Sequence, residues 1–370
     1  MAAQMTGQSW REALVEYDQR IRRTDQMPVA FLPVIMGIFG EAGSAMAPAK
    51  KLHREGVAYV TYFAAAEEEF GDLFWYFAAL ARRLDMSIVE IFEKLEYAEP
   101  SIVGAQAMAC ALPSNEVDSA LTSLGSRAAR FLALNEPNLL KDEMSPFAGV
   151  YLDAVRATGL SFAAILRRNL GKTEGRFVDP DPALLPTFDS GFDEEERIPD
   201  KFAIRFIQRK SGRCHLQMNG VFIGDPLTDN IAPGDNYRFH DVFHMAYAAI
   251  LHWSPVLRAL LKRKRKSVRH TDENEDGGRA IVVEEGVSAL LFSYAKQVNY
   301  FEGATSVPYD LLKQVEQFTK GYQVEECPLR LWERAILDGY QAFRSMRDEG
   351  GGIIDGDRSA RSISFRSTRN

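Results

Sequence analysis

Cysteine is scarce in this chain, and no apolar run is long. Cys110, Cys214 and Cys327 are its three cysteines in 370 residues. Three widely spaced thiols indicate neither a disulfide framework nor a cysteine-based zinc site. No stretch approaches the ~20 apolar residues that span a bilayer, and the start, MAAQMTGQSWREAL, has neither the cationic nor the apolar region of a signal peptide. We therefore expect a cytoplasmic protein with no membrane partner.

Positive charge is also in deficit. The formal net charge of -7 argues against a protein that coats nucleic acid through a general positive field. One basic run, KRKRK at 262–266, is followed by Arg269 and then by four acids between positions 272 and 276. We interpret it as a solvated, self-neutralising helix end, with a phosphate-binding patch as the alternative.

Hydrophobic periodicity predicts a mainly α protein. Helical spacing extends from Ser9 to about Tyr97 and again from Glu116 to Phe177, and the period changes to two near Ile204. An Asn219-Gly220 turn between alternating segments predicts a small β-meander, after which helical patterns return. The predicted architecture is a helical bundle, with a degenerate tandem repeat as one reading, followed by an α+β domain. The predicted boundaries are a helical unit at 1–100, a degenerate second unit at 101–178, a Pro- and acid-rich linker at 179–200, the α+β domain at 201–349 and a disordered tail at 350–370.

Acidic residues concentrate where a helix should be buried. In EEEFGDLFWYF, residues 67–77, Glu69 and Asp72 lie three apart, hence on one flank of an otherwise apolar helix. Acids near a helix start can simply complement its dipole. However, a divalent cation such as Mg²⁺ would turn the repulsion of two close carboxylates into attraction. Glu41 lies on another apolar helix between Gly40 and Gly43, which we expect to permit close approach of the two helices.

These segments together resemble a known family. GEAGS at 40–44, KKLHREG at 50–56, EEFGDLFWYFAALA at 68–81 and SIVEI at 87–91 resemble, in this order, the MazG-like all-α nucleoside triphosphate pyrophosphohydrolases. The resemblance covers about residues 10–97. It implies a helical bundle that binds Mg²⁺, or alternatively Mn²⁺, and hydrolyses a (deoxy)nucleoside triphosphate to the monophosphate and pyrophosphate. It assigns Glu41, Glu69 and Asp72 as the metal-binding and catalytic residues.

One position departs from the family pattern. Ser44 stands where the family has the second glutamate of its ExxE motif, so the site has three formal negative charges rather than four. Fewer bound metals, a changed substrate, or nucleotide binding without catalysis would follow. Pro48 should kink or end the same helix. Lys50 and Lys51 match the family's basic pair and are candidate phosphate contacts, or simply exposed lysines at a helix C-terminus.

A second segment echoes the acidic helix at a constant offset. Glu143 aligns with Glu69 and Ser161 with Ser87, but Pro146 replaces the aspartate, so this copy alone cannot hold the metal. Asn169 and Lys172 match the Asn-Leu-x-Lys that often closes the family's helical unit. We infer a pseudo-dimer in one chain, in which they face the nucleotide; a plain helix with a polar end is the alternative. The family suggests homo-oligomers, whereas an internal repeat would permit a monomer.

The C-terminal part contains a different set of ligand types. His240 and His244 lie one helical turn apart with Asp241 between them, and Glu284 and Glu285 begin a later apolar helix. Histidine and glutamate at such spacing can bind a transition metal, with Asp241, His244 and Glu285 as an altered second site. Histidines on an apolar helix are more often hydrogen-bonded core residues.

Three functional hypotheses therefore stand. The leading hypothesis is a Mg²⁺-dependent nucleotide pyrophosphohydrolase. The second is a nucleotide-sensing module with a degenerate site. The third is a His/Glu metal hydrolase in the C-terminal domain, with nucleic acid guided by Lys262 to Arg269 as its candidate substrate.

Overall fold

The computed structural model describes residues 10–99 and 114–368. The chain divides into two compact units, Met1–Val178 and Asp179–Asn370. The predicted helical units at 1–100 and 101–178 thus belong to one compact body, whereas the predicted linker at 179–200 is part of the second unit.

The regular secondary structure in the described residues of the first unit is helical. The α-helices are α1 (Trp10–Ile21), α2 (Phe31–Glu55), α3 (Tyr62–Arg83), α4 (Ile88–Glu93), α5 (Asn115–Leu132), α6 (Pro137–Ala157) and α7 (Phe162–Phe177). α3 packs against α2 and α7, α2 also packs against α5, and α1 packs against α7. The predicted stripe of α3 is buried, with Phe70, Phe74 and Phe77 in a shared aromatic core.

Helix α2 does not end at its proline. Pro48 is buried inside a helix that continues to Glu55, so the predicted helix end at this residue is wrong. By length and composition alone, the segment Phe31–Ala58 is apolar enough to cross a membrane. In the fold, 33% of the 18-residue stretch that meets this criterion is buried. Core helices of soluble proteins pass the same test, so this finding is weak evidence for a membrane span.

Two turns of the first unit support the repeat interpretation. Ser87 caps α4 and Ser161 caps α7, each by accepting a hydrogen bond from the backbone N–H three residues on. Two residues before each cap, Asp85 and Gly159 both have positive φ, at 55° and 71°. The α3–α4 and α6–α7 connections therefore have the same local design at the offset that the sequence suggests.

The second unit is built on an antiparallel sheet with strand order β3-β2-β1-β4-β5. The predicted meander is β1 (Lys201–Gln208), β2 (Cys214–Met218) and β3 (Val221–Leu227). The turn Asn219-Gly220 joins β2 to β3, and φ is positive at both of its residues. The remaining elements are α8 (Asp241–Ala246) continued by a π-helical turn (Tyr247–Leu251), α9 (Pro255–Leu261), α10 (Arg269–Asn274), α11 (Gly278–Ala295), α12 (Tyr309–Thr319), α13 (Leu329–Glu349), β4 (Gly351–Asp357) and β5 (Ser362–Arg366). The predicted fold class, mainly α with a small β region in the C-terminal part, is confirmed.

The predicted disordered tail is wrong. Residues 351–366 form β4 and β5, and β4 lies between β1 and β5 in the sheet. Gly351 and Gly352 have φ of 142° and 155°, and a Cβ on Gly352 would lie 2.2 Å from the ring of Phe365. The glycine run is therefore required by the backbone and the packing of a strand, and does not mark a flexible segment.

The segment predicted as a linker contains a buried ion-pair centre. Asp189 is 2% exposed, and its two carboxylate oxygens accept hydrogen bonds from Arg258 Nη2 at 2.8 Å and Arg358 Nη2 at 2.5 Å. Burial acts to raise the pKa of Asp189, but the positive charges of Arg358 and Arg258 hold it below its ordinary value. This residue is thus an anchor within the second unit.

His252 predicts a pH dependence of stability. It is buried at the end of the π-helical turn, where its Nε2 lies 2.8 Å from the carbonyl oxygen of Arg358. Burial and the charges of Arg358 and Arg361 lower the pKa of His252 to about 4. As the pH falls below about 6.5, His252 therefore binds a proton in the unfolded chain but not in the folded chain. The contribution of His252 to the free energy of unfolding is complete above about pH 6.5 and is lost as the pH falls to about 4.

The expected loss across this interval is about 3 kcal/mol, at 1.36 kcal/mol for each pKa unit. Thermal unfolding between pH 7 and 4 should show a smaller decline in His252→Asn, because asparagine has no such titration and tolerates the positive φ of 61°. Equal declines in the two proteins would contradict the assignment.

Candidate active site

Helices α2 and α3 approach closely at a glycine. A Cβ on Gly37 would lie 2.3 Å from the ring of Tyr76, so only glycine fits here. The prediction that Gly40 and Gly43 permit this close approach is wrong, because a Cβ on either residue would meet no described atom within 4 Å. The contact that aligns α2 with α3 therefore lies one helical turn before Glu41.

Three carboxylates converge across this helix pair. Oxygen atoms of Glu41 on α2 and of Glu69 and Asp72 on α3 all lie within 4.8 Å of one another, and the three residues are half-buried. We call Glu41, Glu69 and Asp72 the acidic cluster. The structure thus brings together the three residues that the motifs single out.

The acidic cluster is electrostatically unfavourable by itself. Burial, followed by the negative charges of Asp72 and Glu69, raises the pKa of Glu41 to about 7. Lys172 and a hydrogen bond with Ser44 act in the opposite direction. Near neutral pH, either a proton or a cation is therefore needed to offset the repulsion.

Helix α7 completes the site with an amide and an ammonium group. Asn169 Nδ2 donates to Asp72 Oδ1 at 3.0 Å, and Lys172 Nζ donates to Asp72 Oδ2 at 2.6 Å and to Glu68 Oε1 at 3.0 Å. A Cβ on Gly71 would lie 2.9 Å from Asn169 Cβ, so this glycine permits the close approach of α3 and α7. Both residues predicted from the second segment therefore reach the acidic cluster.

Asn169 is fixed by a residue that sequence reasoning missed. The Tyr17 hydroxyl donates to Asn169 Oδ1 at 2.7 Å, and both side chains are buried. This bond sets which amide atom faces Asp72, since the donor side of Asn169 must then point towards the carboxylate. No motif identifies Tyr17, because in the sequence it is one more aromatic residue of an amphipathic helix.

Ser44 occupies the place of the missing carboxylate. It lies one turn after Glu41 on α2, half-buried, and hydrogen-bonds with Glu41. Pro48 has no N–H to donate to the Ser44 carbonyl four residues before it. The departure from the family pattern is thus located in the site itself.

The other predicted substrate contacts lie elsewhere. Lys50 and Lys51 are exposed, and they follow Glu41 by nine and ten residues, about 14 Å along the helix at ~1.5 Å for each residue. Lys51 Nζ lies 5.6 Å from the ring centroid of Tyr59. The structure does not bring this pair to the acidic cluster.

The repeat partner of Glu69 has a different environment. Glu143 on α6 is 5% exposed, with carboxylate oxygens 2.6 Å from Arg127 Nε and 3.4 Å from Arg130 Nε. The residue that aligns with Glu69 in the predicted repeat thus forms an ion pair with arginine and, in the part of the chain that the structure describes, belongs to no carboxylate cluster. Among its described residues, the first unit has one acidic cluster, and Asn169 and Lys172 of α7 lie beside it.

The acidic cluster fits a hard divalent cation. Its oxygen atoms come from carboxylates, which Mg²⁺ prefers, and the charges of Asp72 and Glu69 add to burial in raising the pKa of Glu41. Half-burial leaves room for the waters that Mg²⁺ usually retains. A cation at this position would be held by Glu41, Glu69 and Asp72.

A second group of ligand types meets in the second unit. His240, His244 and Glu285 offer atoms that all lie within 4.8 Å of one another. Two of these ligands are histidine nitrogens, so this group differs from the acidic cluster in the metal it would prefer.

Comparison with known families gives a match in the second unit. The model of the MazG C-terminal domain family matches residues 183–369, about half of the chain. No curated protein and no solved structure gives a significant match. The motifs of the first unit and the matched residues of the second, two separate parts of the chain, therefore indicate the same family.

Proposed function

This chain belongs to the MazG C-terminal domain family, and from that membership and the acidic cluster we propose that it hydrolyses a nucleoside triphosphate to the monophosphate and pyrophosphate. Membership of the MazG family suggests nucleotide pyrophosphohydrolase-type chemistry in general. The finer proposal, with Mg²⁺ held by Glu41, Glu69 and Asp72, is carried by one observation: their oxygens lie close enough to share a single ion.

The bound cation would neutralise charge on the triphosphate and on the departing pyrophosphate. Side chains of the site have the other roles in binding and orientation. Lys172 is already paired with Asp72 and Glu68, so it is placed to contact a phosphate oxygen at the edge of the cluster. Asn169, held by Tyr17, keeps Asp72 oriented.

The reaction itself requires a water and a base. The water oxygen attacks the α-phosphorus, the bond from that phosphorus to the bridging oxygen breaks, and pyrophosphate leaves with the electron pair. A carboxylate of the site accepts the proton of the water. Products and reactants then balance without a further co-reactant.

The test is a panel of common NTPs and dNTPs, each incubated with the full chain and Mg²⁺ and assayed for pyrophosphate. We expect release from at least one nucleotide, and none when the cation is chelated. A folded protein that releases no pyrophosphate from any member of the panel would refute the proposal.

A nucleotide-sensing role is the second candidate, and Ser44 favours it. With three carboxylates rather than four, the site could bind a metal-nucleotide complex without turnover. Titration calorimetry separates the two functions, because binding with no pyrophosphate release indicates a sensor.

Ser44→Glu is expected to strengthen Mg²⁺ binding by at least about tenfold. Two unit charges 4 Å apart attract by about 4 kcal/mol at an effective dielectric constant of 20, and tenfold requires only about 1.4 kcal/mol of this. Ser44→Gln, of the same length but uncharged, is the matched control. Equal Mg²⁺ affinity in the two variants, measured by calorimetry, would show that position 44 does not face the cation. If the wild type is a sensor, Ser44→Glu should also gain turnover.

A further inference from the structure

Two histidines and a glutamate meet at one point in the second unit. His240 and His244 lie one turn apart at the start of α8, and Glu285 comes from α11. Glu285 Oε2 lies 3.7 Å from His240 Nε2 and 3.5 Å from His244 Nε2. A single carboxylate oxygen of Glu285 therefore faces the Nε2 atoms of both histidine rings.

The His244 ring presents a buried nitrogen that has no hydrogen-bond partner in the described part of the chain. The side chain is fully buried, and its Nδ1 lies 2.9 Å from Glu284 Oε1, whereas Nε2 is unsatisfied. A buried polar atom without a hydrogen-bond partner destabilises the folded state. The orphaned Nε2 is the one that faces Glu285, so a ligand for it belongs at this point.

Glu284 fixes the tautomer of His244. Its carboxylate is fully buried and also accepts hydrogen bonds from the Ser254 hydroxyl at 2.6 Å and the Val256 N–H at 2.8 Å. A carboxylate held in this way keeps a proton on His244 Nδ1, so Nε2 is the nitrogen of this ring that can bind a metal ion. Carboxylate–histidine–metal chains have this arrangement.

The His240 ring is also oriented by a hydrogen bond at its Nδ1. Its Nδ1 lies 2.8 Å from the Tyr237 carbonyl oxygen, which makes Nδ1 the protonated nitrogen. The Tyr237 ring stacks on it with centroids 4.2 Å apart and planes at 2°. In both imidazoles, Nδ1 is hydrogen-bonded to an oxygen atom and Nε2 faces Glu285.

We propose that His240, His244 and Glu285 bind one first-row transition-metal ion. Zn–N bonds of about 2.0–2.1 Å place tetrahedral ligand atoms about 3.3–3.4 Å apart, so the observed 3.5 and 3.7 Å need only a small contraction. Imidazole nitrogen suits Zn²⁺, Fe²⁺ or Co²⁺ and not Mg²⁺, which takes oxygen ligands. The two metal sites of the chain would thus be chemically distinct.

Asp241 adds a further oxygen beside the histidines. Its Oδ1 lies 3.7 Å from His240 Nε2 and 3.9 Å from His244 Nε2, and the residue is 5% exposed. The Glu285 side chain, by contrast, is 40% exposed, so the ion is reached from its side. Three protein ligands and an open approach leave a position for water or an anionic ligand, as in catalytic rather than structural zinc sites.

The competing explanation is a protonated His244 paired with both glutamates. Burial lowers the pKa of His244, but Glu284 and Glu285 raise it well above its ordinary value when no metal ion is present. Protonation would put a second N–H on Nε2 with Glu285 Oε2 3.5 Å away, beyond the 2.7–3.2 Å of ordinary hydrogen bonds. A metal ion at this point would instead satisfy both nitrogens of His244.

The test measures metal binding by the full chain. Zn²⁺ and Co²⁺ are added to metal-stripped protein in the presence of excess Mg²⁺, which occupies oxygen-ligand sites. Bound metal is quantified after dialysis, and the visible Co²⁺ spectrum reports nitrogen coordination. We expect one equivalent of tightly bound metal.

His240→Gln and Glu285→Gln should weaken binding by at least about tenfold, and Glu284→Gln, a positioning variant, by about 10–100-fold. His270→Gln, at an exposed histidine, is the matched control and should bind as the wild type does. Because Glu285 is partly exposed, its variant is expected to fold, which circular dichroism checks.

Wild-type affinity in folded His240→Gln and Glu285→Gln would overturn the proposal, as would the absence of bound transition metal in the wild type. Loss of the metal in Glu69→Ala but not in Glu285→Gln would place it at the acidic cluster and would equally refute it. The pyrophosphate assay is independent of all these outcomes.

Discussion

Replacing Glu69 by alanine is expected to reduce Mg²⁺-dependent pyrophosphate release by about 10²- to 10⁴-fold, the range for loss of a positioned acid–base group. Glu69 contributes one of the three carboxylates of the acidic cluster, so its removal leaves two oxygen-ligand side chains for the ion. Turnover is measured on the best nucleotide of the panel at saturating Mg²⁺, and again over a Mg²⁺ titration.

The matched control is Glu67→Ala. Glu67 lies on the same helix two residues earlier, where it pairs with Arg168 at 2.9 Å, and it is not part of the acidic cluster. Glu67→Ala should retain activity within a few-fold. Full activity in Glu69→Ala would eliminate the proposed site.

Thermal unfolding of Glu69→Ala without metal tests whether activity is lost only because the variant is destabilised. Burial is the main cause of the raised pKa of Glu41, and repulsion by Asp72 and Glu69 adds to it. Removing the Glu69 carboxylate relieves part of that repulsion, so the variant should be no less stable than the wild type. Loss of activity with retained stability identifies a functional role, since a structural residue would show the opposite combination.

Replacing Asp276 by alanine is expected to destabilise the second unit by about 3–5 kcal/mol, the cost of leaving a buried charge unpaired. Asp276 is fully buried, and its Oδ1 accepts from Arg265 Nη2 at 2.7 Å while its Oδ2 accepts from the Arg265 backbone N–H at 2.7 Å. Arg265 is itself 1% exposed. Urea unfolding followed by circular dichroism measures the change.

The control for this prediction is a nearby ion pair on the surface. Glu273 pairs with Arg269 at 2.8 Å, with both side chains more than half exposed. Exposed pairs contribute about 0–1 kcal/mol, so Glu273→Ala should cost no more than that. Similar costs for the two substitutions would show that the Arg265–Asp276 pair is not the buried anchor described here.

The basic run shows what a local pattern reveals and what it misses. Self-neutralisation by the following acids is correct for Arg265, which pairs with Asp276. Solvation is wrong for the same residue, because it lies in the interior and also donates to the Phe188 carbonyl oxygen. Charge order along a chain predicts which residues can pair, but only the fold decides which pair is buried.

The acidic cluster was predictable because its signal is local. Glu69 and Asp72 share one helical flank by spacing alone, and the order of motifs adds Glu41. The contact between the helices was not predictable in detail: three glycines precede Ser44 on α2, and Gly37 rather than Gly40 or Gly43 meets the neighbouring helix. Which glycine faces a partner depends on helix rotation, which periodicity alone leaves undetermined.

The C-terminal strands were missed for a different reason. The last residues combine a glycine run with charged and serine-rich segments, a composition typical of disorder. Their order comes from pairing with β1, in which Ile204 faces Ile354 across the ladder. A contact this distant along the chain leaves no trace in a local window.

The place of β4 in the sheet constrains how the second unit assembles during translation. β1 is complete at Gln208, yet the strand that covers its open edge begins only at Gly351. Until the ribosome has delivered that stretch, β1 exposes unpaired backbone groups to other nascent chains, and a protein shortened at Glu349 would keep this edge open permanently. Shortened versions of the chain, made for crystallisation or for a C-terminal fusion, should therefore retain residues 351–366, although the composition of this stretch suggests that they could be removed.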